Sequence, residues 1–209
     1  MQIYLLDNIH QLNELNNKFN NYVLNKLESY LIIDLIKQDY KIEWTFNLNN
    51  KDDEIRLNFF SLNQNEYKKN IKLSAIHQCE KTYSYVKFHG INFQKSFTNL
   101  ILESKNNIRP LADIYSEQVI KAIVMDEAKF SGIPKIDAAN NSFTSSHKLA
   151  VGSLNKEELF YLNSLGINKI DSINIILQSL YKSLMINNND EKMLNKIWME
   201  IENASFKRL

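Results

Sequence analysis

The chain has 209 residues, 44% of them apolar and 23% charged, with a formal net charge of +1, which suits a globular protein with one substantial core. That near-neutral balance, with lysines and acids interspersed, excludes a broadly basic surface for nucleic acid or an anionic membrane. The single Cys79 excludes an intrachain disulfide and fits a reducing compartment.

The N-terminus, Met1 to Asp7, lacks a basic region followed by a long apolar stretch, which argues against a secretory signal. Leu12, Leu15, Phe19, Tyr22 and Val23 form a helix-like stripe, and Tyr30 to Ile36 predicts a strand; the first 28 residues are left open. The apolar cluster Tyr30 to Ile33 is broken by Asp34 and is too short to span a bilayer. From Tyr40 to Gly152 apolar residues alternate in short runs. These are Ile42–Leu48, Ile55–Phe59, Ile71–Ala75, Tyr83–Phe88, Thr98–Leu102 and Val119–Val124. Period-two alternation puts successive side chains on opposite faces and so predicts strands. Asn-rich breaks separate them at 49–53, 63–65, 104–107 and 140–142. Strand starts recur roughly every 12–15 residues, which suits a sandwich, a barrel or a parallel β-helix without choosing among them. Trp44, Leu57, Leu73, Val86, Leu100 and Ile123 are the predicted core.

After Gly152 the period changes. Asn155 to Leu165 predicts a short helix with acids in its first turn, stopped by Gly166. Asp171 to Met185 carries Ile173, Ile176, Leu177, Leu180, Tyr181 and Leu184 at helical spacing, and Glu191 to Ile201 predicts a third helix. The organisation is therefore a β core over 1–152 and a helical segment over 153–209.

Three segments then stand in order. They are Ile133-Pro134-Lys135-Ile136-Asp137, then Ser145-Ser146-His147-Lys148-Leu149-Ala150-Val151-Gly152, and Leu159-Phe160-Tyr161-Leu162-Asn163-Ser164-Leu165-Gly166-Ile167. Together they resemble the C-terminal signature of the SufB/SufD family, the scaffold subunits of the SUF iron–sulfur cluster assembly system. The resemblance implies a mainly β fold, a right-handed parallel β-helix followed by a small C-terminal helical segment. Family members are usually about twice this length, and the motif-level match covers Ala112 to Leu184.

The same resemblance singles out His147, whose counterpart in SufD-type proteins lies at the contact with SufB and is implicated in building the nascent cluster. A neutral imidazole suits iron. Lys148 stands where SufD proteins usually have Gly and SufB proteins Glu, so the chain reads as SufD-like. The rung that carries the acceptor cysteine of SufB falls around Tyr115 to Ala122, where this chain has Ser116 and no cysteine. His77 and Cys79, at i and i+2 in a strand-like run, would share a face and could pair on a metal; packing is the plainer reading. His89 reads as a packing or turn residue and His10 as an exposed one.

No P-loop, dinucleotide fingerprint, zinc-protease, C-x-x-C or nucleophile-elbow motif occurs, and four glycines leave little for a phosphate-cradling loop. No ladder of acids marks successive rungs between Ile71 and Ala138, as a carbohydrate-active β-helix would need. The expectation is a non-enzymatic scaffold subunit that pairs with a SufB-like subunit, or with itself in isolation, and docks a SufC-type ABC ATPase. Leu159, Phe160, Tyr161, Gly166 and Ile167 would provide the docking site, with Leu159, Phe160 and Leu162 also anchoring the helix over the last rung. The ligand is a transient iron–sulfur cluster shared with the partner, and no nucleotide is bound by this chain. The alternative is a structural adaptor of the same ATPase complex that binds no cluster. The expected location is the cytoplasm, or the stroma of a plastid-type organelle.

Overall fold

The structure is a computed structural model and describes residues 1–106, 113–138, 143–183 and 191–206. Its strands are β1 (Gln2–Leu6), β2 (Asn20–Val23), β3 (Leu27–Asp34), β4 (Tyr40–Leu48), β5 (Glu54–Asn63) and β6 (Lys68–His77). They continue with β7 (Tyr83–Asn92), β8 (Phe97–Asn106), β9 (Ile114–Val124), β10 (Lys129–Ala138) and β11 (Phe143–Gly152). The helices are α1 (Ile9–Phe19), α2 (Lys156–Ser164), α3 (Lys169–Lys182) and α4 (Glu191–Phe206). The predicted break at 140–142 and the Asn187–Asp190 break lie outside the described residues.

Odd-numbered strands form one sheet, in the order β1-β3-β5-β7-β9-β11, and even-numbered strands the other, in the order β10-β8-β6-β4-β2. All pairings are parallel, so the chain coils as a β-helix of about five turns. This decides among the three architectures that strand spacing left open. Between β4 and β8 the rungs stack in step: Ser74 and Glu103, 29 residues apart, are register partners. With four glycines in the chain, the corners use other residues, and Lys26, Asp52, Asn65, Lys81, Gln94 and Asp126 all take the left-handed conformation.

The inter-sheet core holds Tyr30, Ile32, Ile42, Trp44, Leu57, Phe59, Leu73, Val86, Phe88, Leu100 and Ile120. Five of the six predicted core residues lie here; Ile123 is half-buried on the outer face, beneath the helices. Charge also enters the interior. Asp34 and its register partner Ser61 meet Tyr40 and its register partner Lys69 at one corner. Lys69 Nζ lies 2.7 Å from Asp34 Oδ2 and donates to the Leu62 carbonyl at 2.8 Å, while Tyr40 donates to the same carboxylate at 2.6 Å. Burial pulls the Lys69 ammonium below its ordinary range, and the Asp34 charge opposes that shift.

The N-terminal stripe resolves as α1. Asn8 caps it by accepting from Gln11 N at 3.1 Å while the Gln11 side chain accepts from Asp7 N at 2.9 Å, a reciprocal cap. Leu12, Leu15 and Phe19 point onto the first turn, where Phe19 packs against Tyr4, Tyr30, Trp44 and Phe46.

The C-terminal helices correct one expectation. They do not cover the last rung. α3 and α4 lie on the outer face of the odd-strand sheet, where Leu177, Ile197 and Ile201 bury Leu31, Ile33, Phe60, Leu62, Ile91 and Phe93. α4 is tied to the N-terminal rungs by Lys196–Asp7 at 2.7 Å and Lys37–Glu200 at 2.6 Å. Helix α2 packs on α3 and buries no residue, and Phe160, expected as an anchor, is 76% exposed. The reason is its spacing: Leu159, Leu162 and Ile167 face α3 and are partly covered, which turns Phe160 and Tyr161 outward.

Candidate functional site

The last turn of the β-helix is built from β8 and β10 on one side and β9 and β11 on the other. Each strand sits one rung above its register partner, so side chains repeat by face. Ile120 lies in the inter-sheet core, and its partner Leu149 therefore points inward too. Gly132 makes this concrete. A Cβ there would stand 3.2 Å from Leu149 Cδ1 and 2.9 Å from the Phe130 ring, so a side chain would have to push both aside. Ser145 and His147 share the inward face with Leu149, above Ser116 and Gln118. Thr144, Ser146 and Lys148 face outward; Lys148 is 3.9 Å from Glu117.

His147 is exposed although it faces inward, because no further rung lies above it among the described residues. His147 thus lies on the inward face of the last strand and is reached from the open end of the described stack. Leu149 is 50% exposed for the same reason.

Beneath this mouth the interior is polar. His77 is fully buried at the end of β6, with its ring nitrogens 2.8 Å from Thr82 Oγ1 and 3.0 Å from Ser84 Oγ. Ser84 in turn donates to Ser116 Oγ at 3.0 Å. Burial pushes the His77 imidazole down to about 4, so it is neutral near pH 7. Its nitrogens are thus taken by hydroxyls, and Cys79 lies beyond the strand in the turn, so the pair does not form a two-ligand site. Ser116 is buried and hydrogen-bonded. Gln118 donates from Nε2 to the Lys135 carbonyl at 3.1 Å, and its Oε1 is buried without a partner, as is Ser104 Oγ.

On the outer face beside the mouth, Glu103 is clamped by Lys135 at 2.8 Å, Lys72 at 3.2 Å and Lys105 at 3.5 Å. Burial alone would raise this carboxyl, but hydrogen bonds from Lys135 and Lys72 and the nearby ammonium charges hold it down to about 2. The clamp joins three successive rungs of one sheet. His89 does similar work across layers: its Nδ1 donates to the Leu180 carbonyl of α3 at 2.9 Å. Burial, together with Lys121 and Lys87, lowers its imidazole to about 4, against the opposing pull of that carbonyl.

Among the described residues no group of three His, Cys, Asp or Glu side chains could hold a metal ion. The docking residues inferred from sequence stand apart from His147, on α2 and the turn after it. Phe160 and Tyr161 are outward, Leu159 and Ile167 are partly covered, and Gly166 takes φ +84 with open space around it. Sequence reasoning passed over Gln118 and Ser104. The signal available was register: Ser84, Ser116 and Ser145 occupy one ladder, and Gln118 and His147 the next inward position.

No helix among the described residues is long and apolar enough to cross a membrane. Comparison with curated proteins returns no match. The family model described as SUF system FeS cluster assembly, SufBD core domain, matches residues 30–180, a span that runs from β3 through the last turn and into α3. With that match over most of its length and the parallel β-helix it carries, the chain belongs to the SufB/SufD family of the SUF iron–sulfur cluster assembly system.

Proposed function

We propose that the chain is a SufD-like scaffold subunit, pairing through its open last turn with a SufB-like subunit and carrying a SufC-type ATPase on its helices. The observation that carries this reading is the uncovered end itself. The edge strands β10 and β11 offer unpaired backbone groups beside exposed Ile133, Leu149 and Val151, and isolated proteins normally blunt such edges. A partner rung would cover them and bring its own ligands to His147. In this arrangement the cluster is the cargo of the pair, held for assembly and then released, and His147 supplies one ring nitrogen to it. The ATPase reading draws on α2, where Phe160, Tyr161 and Leu165 form an outward apolar face that nothing else in the described chain uses.

The adaptor reading keeps both contacts and drops the cluster; it is favoured by the lack, among the described residues, of any group of three His, Cys, Asp or Glu side chains that could hold a metal ion. Coexpression with SufB-like and SufC-type partners, followed by anaerobic reconstitution, separates the two. His147→Ala should leave the complex assembled and lower its iron and sulfide content severalfold. Unchanged cluster content would favour the adaptor, and loss of assembly would make the histidine a packing residue of the interface.

A further inference from the structure

Gln118 stands directly below His147 in the stack. The two are register partners on β9 and β11 and share the inward face. Adjacent strands lie about 4.8 Å apart, so the side chains rise next to each other. The Gln118 amide is fixed in orientation, because Nε2 donates to the Lys135 carbonyl across the mouth and the reverse orientation would set oxygen against oxygen. Its Oε1 is then left buried and unpartnered, in a side chain only 2% exposed. Buried acceptors are rarely left in that state without a role.

We propose that Gln118 is a positioning residue for His147: the two make no hydrogen bond in this structure, and a turn of the exposed His147 ring lets Oε1 accept the N–H of one ring nitrogen and leaves the other, bearing the lone pair, turned out of the open end. A histidine that ligates a metal usually donates its second nitrogen to an oxygen, which fixes both tautomer and ring orientation. A carboxamide does this without adding charge. The charged neighbours do not compete, since Lys148 and Glu117 face outward and the Lys135 ammonium is engaged by Glu103. The hydrogen bond rests on this chain alone, whereas its use in cluster assembly rests on the reading of His147 given above.

The test is read in the isolated, folded chain with labelled imidazole nitrogens at about pH 8, where an ordinary histidine is neutral. The ratio of the two His147 tautomers should differ between the wild type and Gln118→Met by about fivefold, the factor an ordinary hydrogen bond of about 1 kcal/mol gives. Gln118→Glu, which keeps an acceptor, should restore the bias. Equal ratios in the wild type and Gln118→Met would overturn the proposal. If Gln118→Met does not fold, a Gln118→Glu ratio lying on the opposite side of the wild type would do the same. In the assembled complex, Gln118→Met should lower cluster content while pairing persists. If His147→Ala has no effect on cluster there, the ligand reading fails, yet the tautomer result still stands or falls by itself.

Discussion

At its first turn the β-helix is closed by α1, which lays Leu12, Leu15 and Phe19 over a cluster of aromatic rings and ties Asn16 to the Trp44 indole at 2.7 Å. At its last turn the same inward face continues into Ser145, His147 and Leu149, with no helix above it among the described residues. The strands differ too, with 5 and 4 residues in β1 and β2 against 10 each in β10 and β11, but the larger difference is the cover. The helices that could have served the second end lie on the outer face of one sheet instead, held by Leu177, Ile197 and Ile201. Where a flanking helix packs thus decides which end is closed among the described residues, and the open end coincides with the histidine of the family-like motif.

The strongest way to break this contrast is to empty the closed end. Phe19→Ala should cost about 3–5 kcal/mol in urea unfolding, since the ring is fully buried among five others. Leu149→Ala at the open end should cost less than about 1 kcal/mol, a difference that equal losses would erase.

Acid probes the layers between the two ends. His77 and His89 are both held near 4 in the fold, against about 6.5 in an unfolded chain, so the unfolded state takes up protons first. Their neutral forms contribute fully above about pH 6.5, and that contribution fades as pH falls toward 4. Each should cost about 3 kcal/mol by pH 4. Urea midpoints measured across this window should drop, and the drop should be halved in His89→Phe if that variant keeps α3 docked. The Glu103 clamp adds a further loss that begins near pH 4.5, where the unfolded chain takes up its proton first, and is complete near 2.

The smallest stability effect is expected on α2. Phe160→Ala should change unfolding free energy by under about 0.5 kcal/mol, as for an exposed surface position. It should nevertheless weaken retention of a SufC-type ATPase in co-purification. Normal retention would move the docking surface away from this face.

Most of the β-helix was legible because Ile42, Trp44, Phe46 and their counterparts alternate cleanly, and the chain returns at each rung with the same parity. Strand β9 was recognised only from Val119, although it begins at Ile114. Its inward residues there are Ser116 and Gln118, so polarity hid the period. The same polarity is what makes the mouth distinctive. Helix α1 was ambiguous because Tyr22 and Val23, which extend its stripe, belong to the following strand. The fate of Phe160 was illegible for a different reason: neighbouring Leu159 and Leu162 can seat a short helix on either of two surfaces, and only the competing burial of α3 decides which.

The ion pair between Lys69 and Asp34 also bears on how the molecule assembles. A coil of similar rungs has a characteristic error, in which one strand docks against its neighbour two residues out of step and keeps every apolar side chain facing in. Asp34, Ser61, Tyr40 and the Leu62 carbonyl converge on the Lys69 ammonium only when both sheets are in step at that corner. A slipped coil would strand a bare charge in an apolar interior, a penalty of several kcal/mol. The pair thus works as a proofreading mark, tolerating the true winding of the chain and rejecting its near copies.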